Sequence, residues 1–178
     1  MNSHGKDVGV NSVLSVLDYT KSNKEWFDRQ QLFAGYHSVS IRGQKIKGQR
    51  DPEARLAKLP YSFAGKRVLD IGCSNGGLLH ALANQIAFGV GVDFNSKCIN
   101  AANTLKAVNG AGNIHFYTFD LDKEDLSMLG HFVLGAPVDV CLFLNLSLWV
   151  KGWREAFKAC AALAESIVFE AHGSEQQQ

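Results

Sequence analysis

From residue 66 onward, short apolar runs alternate with helical patterns, and this alternation constrains the fold more than any other feature of the sequence. The apolar runs have the length of strands buried on both faces, and they lie at residues 67–71, 89–93, 114–119, 138–144 and 167–170. Helical spacing separates them at residues 78–86, 96–108 and 153–164, with one acidic helical turn expected at 123–128. Strands that alternate with helices form a parallel sheet covered on both faces. We therefore predict a doubly wound, mostly parallel α/β fold.

The residues before this pattern are organised differently. Apolar spacing over residues 13–33 predicts one or two helices, and alternation over residues 37–47 predicts a two-stranded hairpin. Asp51, which is followed by a proline and an acid, is typical of a helix start. We therefore divide the chain into an N-terminal helical and hairpin accessory segment, residues 1–65, and an α/β domain, residues 66–178.

Composition places the chain among globular proteins. Of its 178 residues, 46% are hydrophobic and 20% are charged, which excludes disorder of the whole chain. The net charge of +1 gives no global reason for a polyanionic partner, and DNA is disfavoured. The four cysteines are scattered without metal-ligand spacing, which predicts reduced thiols and no metal site. Because neither a signal peptide nor a membrane-spanning run is visible, we predict a soluble, cytoplasmic protein with no membrane partner.

A glycine-rich turn follows the first of these strands and carries the main chemical signal. Gly72 and Gly76 stand between that strand and the next helix, where glycine lets the backbone approach a ligand and the helix N-terminus offers oriented N–H groups. Asp70 precedes the turn. Asp93 ends the next strand, where a carboxylate accepts the hydroxyls of a ribose. Residues 120–121 end the third strand, so all these positions converge on one crevice at the carboxyl edge of the sheet.

These motifs resemble those of class I S-adenosylmethionine-dependent methyltransferases, from about residue 66 to the C-terminus. The resemblance implies a Rossmann-like fold, S-adenosylmethionine as the cofactor and methyltransferase activity. In that family the Asp-x-Gly-x-x-x-Gly loop cradles the methionine end of the cofactor. The acid that closes the second strand binds the ribose, the acid after the third faces the adenine, and the segment after the fourth lies beside the sulfonium. Carried onto this sequence, the predicted cofactor-binding residues are Asp70, Gly72, Cys73, Ser74, Asn75, Gly76, Asp93, Phe94, Asp120, Leu121 and Asn145, together with Arg50.

The sequence departs from the family pattern in two places. Ser74 stands where the commonest loop has its second glycine. Family members also add two strands, an antiparallel edge hairpin after the fifth strand, and this chain ends shortly after Glu170. We therefore expect that hairpin to be missing. Tyr36, His37 and residues 48–50 bear a faint similarity to wobble-uridine tRNA-modifying methyltransferases.

The resulting hypothesis is in-line methyl transfer to an oxygen, nitrogen or carbon atom of a small molecule or an RNA. Asn145 is followed by Leu-Ser-Leu and not by the Pro-Pro-aromatic sequence of planar-amine methyltransferases, which disfavours amino methylation. His37 and His172 are the candidate general bases, because an imidazole titrates near neutrality. One alternative is a module, or an incomplete fragment, that binds the cofactor without catalysis. A remote alternative is a serine hydrolase, since Ser74 lies in a Gly-x-Ser-x-Gly turn.

The stretch at residues 42–67 is strongly basic, with eight Lys or Arg residues against two acids. Three interpretations stay open: contact with RNA phosphates, a lid in which Gln49, Arg50 or Arg55 reaches the cofactor carboxylate, and a solvated surface. The roles of Trp149 and Trp153 also stay open, because either side chain could line a substrate mouth or belong to the core.

Overall fold

The computed structural model describes residues 4–171 of the chain, with side chains from residue 9 onward. Five parallel strands form its main sheet, in the spatial order β5-β4-β3-β6-β7. The strands are β3 (Arg67–Ile71), β4 (Phe88–Asp93), β5 (Ile114–Thr118), β6 (Val138–Leu144) and β7 (Ala164–Glu170). In register, Asp70 of β3 lies between Gly91 of β4 and Leu142 of β6. The predicted doubly wound α/β architecture is confirmed.

Helices cover both faces of this sheet. They are α4 (Gly77–Leu82), α5 (Ser96–Asn109), α6 (Met128–Phe132) and α7 (Trp153–Leu163). Successive strand residues point to opposite faces, so Val140 and Leu142 pack in the core under α4 and α5, while Cys141 and Phe143 pack in the core under α6 and α7. This alternation divides each apolar run between two cores, as expected for strands buried on both sides.

Three elements differ from the sequence-based prediction, and one of them is β7, which begins at Ala164 and not at residue 167. Helix α4 ends at Leu82, before the predicted limit of 86, where the Asn113 side chain donates to the carbonyls of Ala83 and Ile86. The predicted acidic helical turn at 123–128 is replaced by α6, which begins at Met128. Asp120 and Asp125 each accept the N–H of the residue two positions later, an arrangement typical of turns that compete with helix.

The accessory segment contains α1 (His4–Thr20), α2 (Lys24–Arg29), β1 (Val39–Ile41), β2 (Gln44–Ile46) and α3 (Pro52–Leu56). Its helices and hairpin match the prediction, and the Asp51 side chain caps α3. A third apolar cluster joins Val13 and Leu17 of α1 to Leu105 of α5. The side chain of Asn109 also accepts from the Arg42 N–H at 2.8 Å and donates to the Ser40 carbonyl at 2.7 Å. These contacts dock the accessory segment on α5.

Within residues 4–171, none of the helices is both long enough and apolar enough to cross a membrane.

Candidate functional site

A cavity of about 520 Å³ opens at the carboxyl edge of the sheet, within the size range of small-molecule sites. Loops that follow the strands form most of its wall, and the accessory segment adds two residues. The lining residues are Tyr36, Arg50, Gly72, Val92, Asp93, Phe94, Phe119, Asp120, Leu121, Asp122, Lys123, Leu144, Asn145, Leu146, Trp149 and Val150. The cavity therefore lies where ligands of parallel α/β sheets bind.

The glycine loop after β3 needs glycine at both predicted positions. Gly72 has a φ of +72°, and a Cβ there would overlap the Leu146 side chain. Gly76 has a φ of +73°, and a Cβ there would come within 2.5 Å of the Phe116 ring. Ser74, at the place of the family's second glycine, also takes a positive φ of +52°. Ser74 therefore adopts a left-handed backbone conformation that favours glycine, at a strain cost of about 1–3 kcal/mol.

Asp93 fixes this loop to the end of β4. Its carboxylate accepts the N–H groups of Ser74 and Asn95, both at 2.8 Å. The pKa of Asp93 is raised overall, because the effect of burial exceeds that of the same two hydrogen bonds, which lower it. Because each carboxylate oxygen keeps a second lone pair and the residue lines the cavity, Asp93 can still accept hydroxyl groups from a ligand.

Asp70 is the most unusual ionisable group near the site. It is only 2% exposed at the end of β3, and its Oδ2 atom has no hydrogen-bond partner. Burial raises the pKa of Asp70 to about 7, the nearby Arg55 charge opposes that rise, and Asp93 adds to it. An unpaired buried carboxyl is costly, so this position favours a cationic partner. Asp70 lies beneath the loop and not among the cavity-lining residues.

Two loop residues predicted to bind the cofactor have turned away from the cavity. The Asn75 amide donates to the carbonyls of Ala34 and His37 at 3.2 and 3.3 Å, so it holds the accessory segment against the loop. Cys73 is buried, and its sulfur packs so closely against Gly91 that it leaves no space for a Cβ there. For these two residues, direct contact between side chain and ligand is not what the structure offers.

Asp120 and Leu121 lie in the cavity wall after β5, as the sequence predicts. The Asp120 carboxylate pairs with Lys123 at 2.8 Å and accepts the Asp122 N–H at 3.1 Å. The hydrogen bond from Lys123 is the main reason why the pKa of Asp120 is lowered. The backbone of Leu121 and the apolar wall near it are better placed than this paired carboxylate to meet a flat ligand.

The segment after β6 is held at both ends by residues that the sequence analysis did not single out for the site. At its start Asn145, with a φ of +58°, donates its side-chain amide to Glu170 at 2.6 Å and its backbone N–H to the Glu170 carbonyl at 2.9 Å. At its end the Asp122 carboxylate accepts the N–H groups of Lys151 and Gly152 at 3.1 and 2.8 Å. The sequence offered one signal for the second contact: Gly152, which precedes α7, has no side chain that could cap the helix.

The two tryptophans separate between mouth and core. Trp149 lines the cavity and is 77% exposed. Trp153 stacks against Phe169, with ring centroids 5.9 Å apart, and packs against the core beneath α7. Trp149 therefore lies at the cavity, and the core interpretation is right for Trp153.

Of the two predicted general bases, His37 lies within the described residues, and it is not at the cavity. His37 is 3% exposed and packs over Gly77, and it is not among the lining residues. Burial, assisted by the Arg55 charge, lowers the pKa of His37 to about 4. The prediction of His37 as a base that reaches the acceptor therefore does not fit the structure, because the ring lies beneath the surface. His172 lies outside the described residues.

The basic stretch is dispersed by its own contacts. Lys45 pairs with two acids of the accessory segment, Arg55 pairs with Glu170, and Lys66 pairs with Asp139. The Arg67 guanidinium donates to two main-chain carbonyls. Arg50 lines the cavity. The local excess of cations therefore does not form one continuous patch.

The serine-hydrolase alternative lacks its catalytic partners. The Ser74 hydroxyl lies 4.0 Å from the Cys98 sulfur, and in the described part of the chain no imidazole is hydrogen-bonded to it.

A larger groove of about 640 Å³ lies between the hairpin and the helices α4 and α5, away from the strand ends. No cluster of potential metal ligands occurs among the residues that the structure describes.

Comparison with known proteins agrees with this geometry. Residues 62–147 match a family model described as a methyltransferase domain. The ubiquinone biosynthesis O-methyltransferase of Neisseria meningitidis serogroup A is 26% identical over 103 residues, which make up 57% of this chain and 39% of that protein. The serogroup C protein of the same name matches to the same extent. The chain thus spans well under half the length of the curated relatives that it matches.

Solved structures show the same fold. The N-terminal domain of EvdMO1, crystallised in the presence of SAH and D-fucose, superposes with a TM-score of 0.62 at 20% identity, over 84% of this chain and 65% of that one. A precorrin 8w decarboxylase from Methanobacterium thermoautotrophicum superposes with a TM-score of 0.55 at 15% identity, over 70% of this chain and 63% of that one. At these identities the likeness concerns the fold.

Proposed function

Because the chain carries a class I S-adenosylmethionine-dependent methyltransferase domain, we propose that it binds S-adenosylmethionine in the cavity at the strand ends and transfers the methyl group to an acceptor. The N-terminal domain of EvdMO1, which has a similar fold, has been solved with SAH, the demethylated cofactor, bound to it. That observation supports the choice of cofactor, and the geometry of this chain's own residues supports the place.

The observation that carries the proposal is the unpaired oxygen of the buried Asp70 carboxyl. The amino-acid end of the cofactor carries an ammonium group, whose positive charge at the loop would stabilise the ionised Asp70 carboxylate beneath it. The neighbouring Gly72 lines the cavity, so a ligand there can reach its backbone, while Leu146 and Phe116 fill the space that a Cβ would need at Gly72 and Gly76. A buried carboxyl beneath a cavity-lining backbone fits a zwitterionic ligand end better than a phosphate, which the carboxylate would repel.

The remaining contacts follow the order of the strands. Asp93 would accept the ribose hydroxyls, and Phe94 and Leu121 would enclose the adenine on its apolar faces. Arg50, which also lines the cavity, would meet the cofactor carboxylate. When bound, the cofactor supplies a methyl group on a sulfonium, and the protein contributes by holding the acceptor atom in line with it. A base is needed only for an acceptor that arrives protonated.

We propose oxygen as the acceptor atom, because the curated relatives are named O-methyltransferases. Asn145 and the segment that follows it carry no Pro-Pro-aromatic sequence, which agrees with an acceptor other than a planar amine. We also propose that residues 1–65 act as an accessory segment that closes over the cofactor. Tyr36 and Arg50 support this role because both line the cavity, and Asn75 supports it because its amide ties residues 34 and 37 to the glycine loop.

Chemical-shift mapping tests this placement. The ¹⁵N-labelled chain is titrated with SAH, and the backbone amide signals are followed. We expect saturable shifts at Gly72, Phe94 and Leu121, which line the cavity, and unchanged signals at Asn84 and Gly112, which line the larger groove. Shifts centred on the groove, or no saturable shifts at all, would overturn the proposal.

A further inference from the structure

The two halves of the cavity differ in chemistry. Residues after β4 and β5 form one half and include the carboxylates Asp93, Asp120 and Asp122. The segment after β6 and the accessory segment form the other half, which contains Asn145, Leu146, Trp149, Val150, Tyr36 and Arg50. Of the proposed side-chain contacts with the cofactor at the cavity wall, Asp93, Phe94 and Leu121 lie in the first half, and Arg50 lies in the second. The second half is therefore the place where an acceptor would enter.

Two aromatic side chains stand exposed in this second half. Trp149 is 77% exposed and Tyr36 is 37% exposed, and each lines the cavity. The neighbouring Leu148 is 56% exposed. No ring or cation contact is recorded for Trp149 within the described range, whereas Trp153 stacks on Phe169. A large aromatic surface left open inside a cavity is typical of a ligand contact, because burying it against a flat partner is favourable.

The loop that carries Trp149 is rigidly anchored. Glu170 holds Asn145 at its start, and Asp122 accepts the N–H groups of Lys151 and Gly152 at its end. A third anchor is the hydrogen bond from the Trp149 N–H to the Leu146 carbonyl, at 2.9 Å. These hydrogen bonds fix the loop in a conformation that exposes the Trp149 indole. The ring is therefore pre-organised for stacking, because little order has to be gained when a ligand binds.

The charges at the cavity disfavour a polyanion. Three carboxylates, Asp93, Asp120 and Asp122, line it against two cations, Arg50 and Lys123, and Lys123 is already paired with Asp120. Of the basic stretch, Lys45, Arg55 and Lys66 are engaged in ion pairs elsewhere. The three carboxylates lie in the first half, and the second half offers an entering RNA strand a single lining cation, Arg50, so few phosphates would be neutralised and little counterion release would favour its binding.

We infer that the methyl acceptor is a small planar aromatic molecule that carries a hydroxyl group and stacks on Trp149, with Tyr36 beside it. This inference rests on the proposed function, because it assigns the half of the cavity that the cofactor does not fill. It excludes a nucleic-acid strand as the substrate, and it makes Trp149 a residue that determines specificity.

Amide-detected titrations test the inference with defined probes. The ¹⁵N-labelled protein, with and without saturating SAH, is titrated with phenol, with cyclohexanol and with a single-stranded oligouridylate, and the Val150 amide reports binding. The variants are Trp149→Ala and Trp149→Phe, with Phe33→Ala as a control because Phe33 is exposed on the accessory segment but does not line the cavity.

We expect phenol to bind about tenfold more tightly than cyclohexanol, and Trp149→Ala to remove that preference, because one aromatic stacking contact has about this effect. Trp149→Phe and Phe33→Ala should keep the preference, and the oligouridylate should not shift Val150. Equal affinity for phenol and cyclohexanol, an unchanged preference in Trp149→Ala, or an RNA-induced shift of Val150 would overturn the inference. Failure of SAH itself to bind would instead remove the proposed function, and the titrations without SAH would still decide the role of Trp149.

Discussion

The guanidinium of Arg55 on α3 donates to the carboxylate of Glu170 at the end of β7, and the two residues lie 115 positions apart in the sequence. The other oxygen of Glu170 accepts the side-chain amide of Asn145. One carboxylate therefore joins the accessory segment to the segment that follows β6. Because Asn145 begins the loop that carries Trp149, the position of the accessory segment and the order of this loop are mechanically linked.

Breaking this link should loosen the loop with little loss of global stability. Both members of the pair are partly exposed, so Arg55→Ala should lower the free energy of unfolding by about 1 kcal/mol or less. Hydrogen exchange of residues 145–150 should become faster, while exchange in β3 stays slow. Lys45→Ala is the matched control, because it removes exposed ion pairs of the same segment that do not reach the loop. Equal exchange in Arg55→Ala and Lys45→Ala would contradict the proposed link.

Asp122 should hold the turn that leads into α7. Its carboxylate accepts the N–H groups of Lys151 and Gly152, which precede the first helical residue, Trp153. Asp122→Ala should therefore cost about 0.5–1.5 kcal/mol, the usual net contribution of a hydrogen bond. Thermal unfolding measures this cost. Asp125→Ala, which removes only one acceptor in an exposed turn, should cost less. A larger loss in Asp125→Ala would contradict this role of Asp122.

Gly72 should resist substitution for a reason of space as well as of backbone conformation. Gly65 has a similar φ of +69° but nothing within 4 Å of an added Cβ, so Gly65→Ala measures the backbone strain alone. Gly72→Ala adds the overlap with Leu146 and should cost about 1–3 kcal/mol more. A double-mutant cycle with Leu146→Ala should recover that difference. Equal effects of the two single glycine substitutions would contradict the packing argument.

Asp70 should make the stability of the protein depend on pH. Its pKa is raised from 3.8 to about 7, so between these values the folded protein keeps a proton that the unfolded chain has released. Asp70 therefore destabilises the fold progressively as pH rises through this window, and the full cost is reached once the folded carboxyl is ionised above pH 7. Asp70→Asn should unfold at a higher temperature than the wild type at pH 8 and at a similar temperature at pH 4.

The contrast with Asp139 provides the control for that experiment. Hydrogen bonds from the Arg67 N–H and from Lys66 lower the pKa of Asp139, so its contribution to stability is present at neutral pH and is lost in acid. Asp139→Asn should therefore destabilise the protein at pH 8. Asp70→Asn should also bind S-adenosylmethionine more weakly despite its greater stability, which is the usual conflict between stability and function at a site. If Asp70→Asn were less stable than the wild type at pH 8, that result would contradict the account of Asp70.

The sequence was sufficient to predict the order of the elements and the positions of Gly72, Asp93 and Leu121 at the cavity, because these depend on local backbone chemistry at strand ends. It was not sufficient for contacts between distant segments. Nothing near Glu170 or Arg55 in the sequence indicates that they meet, and the burial of His37 results from its packing over Gly77. Asn75 follows the same rule, because its side chain is satisfied by carbonyls about 40 residues earlier in the chain.

Calorimetric titration with S-adenosylmethionine and SAH tests the central claim most directly. The wild type, Asp93→Asn and the control Asp125→Asn are compared, because Asp93 lines the cavity and Asp125 is an exposed turn residue outside it. The account predicts saturable binding of both ligands to the wild type and to Asp125→Asn, and a loss of about tenfold or more in Asp93→Asn, as expected when hydrogen bonds to a charged group are removed. No binding to the wild type, or equal binding to Asp93→Asn, would contradict the assignment of this cavity as the cofactor site.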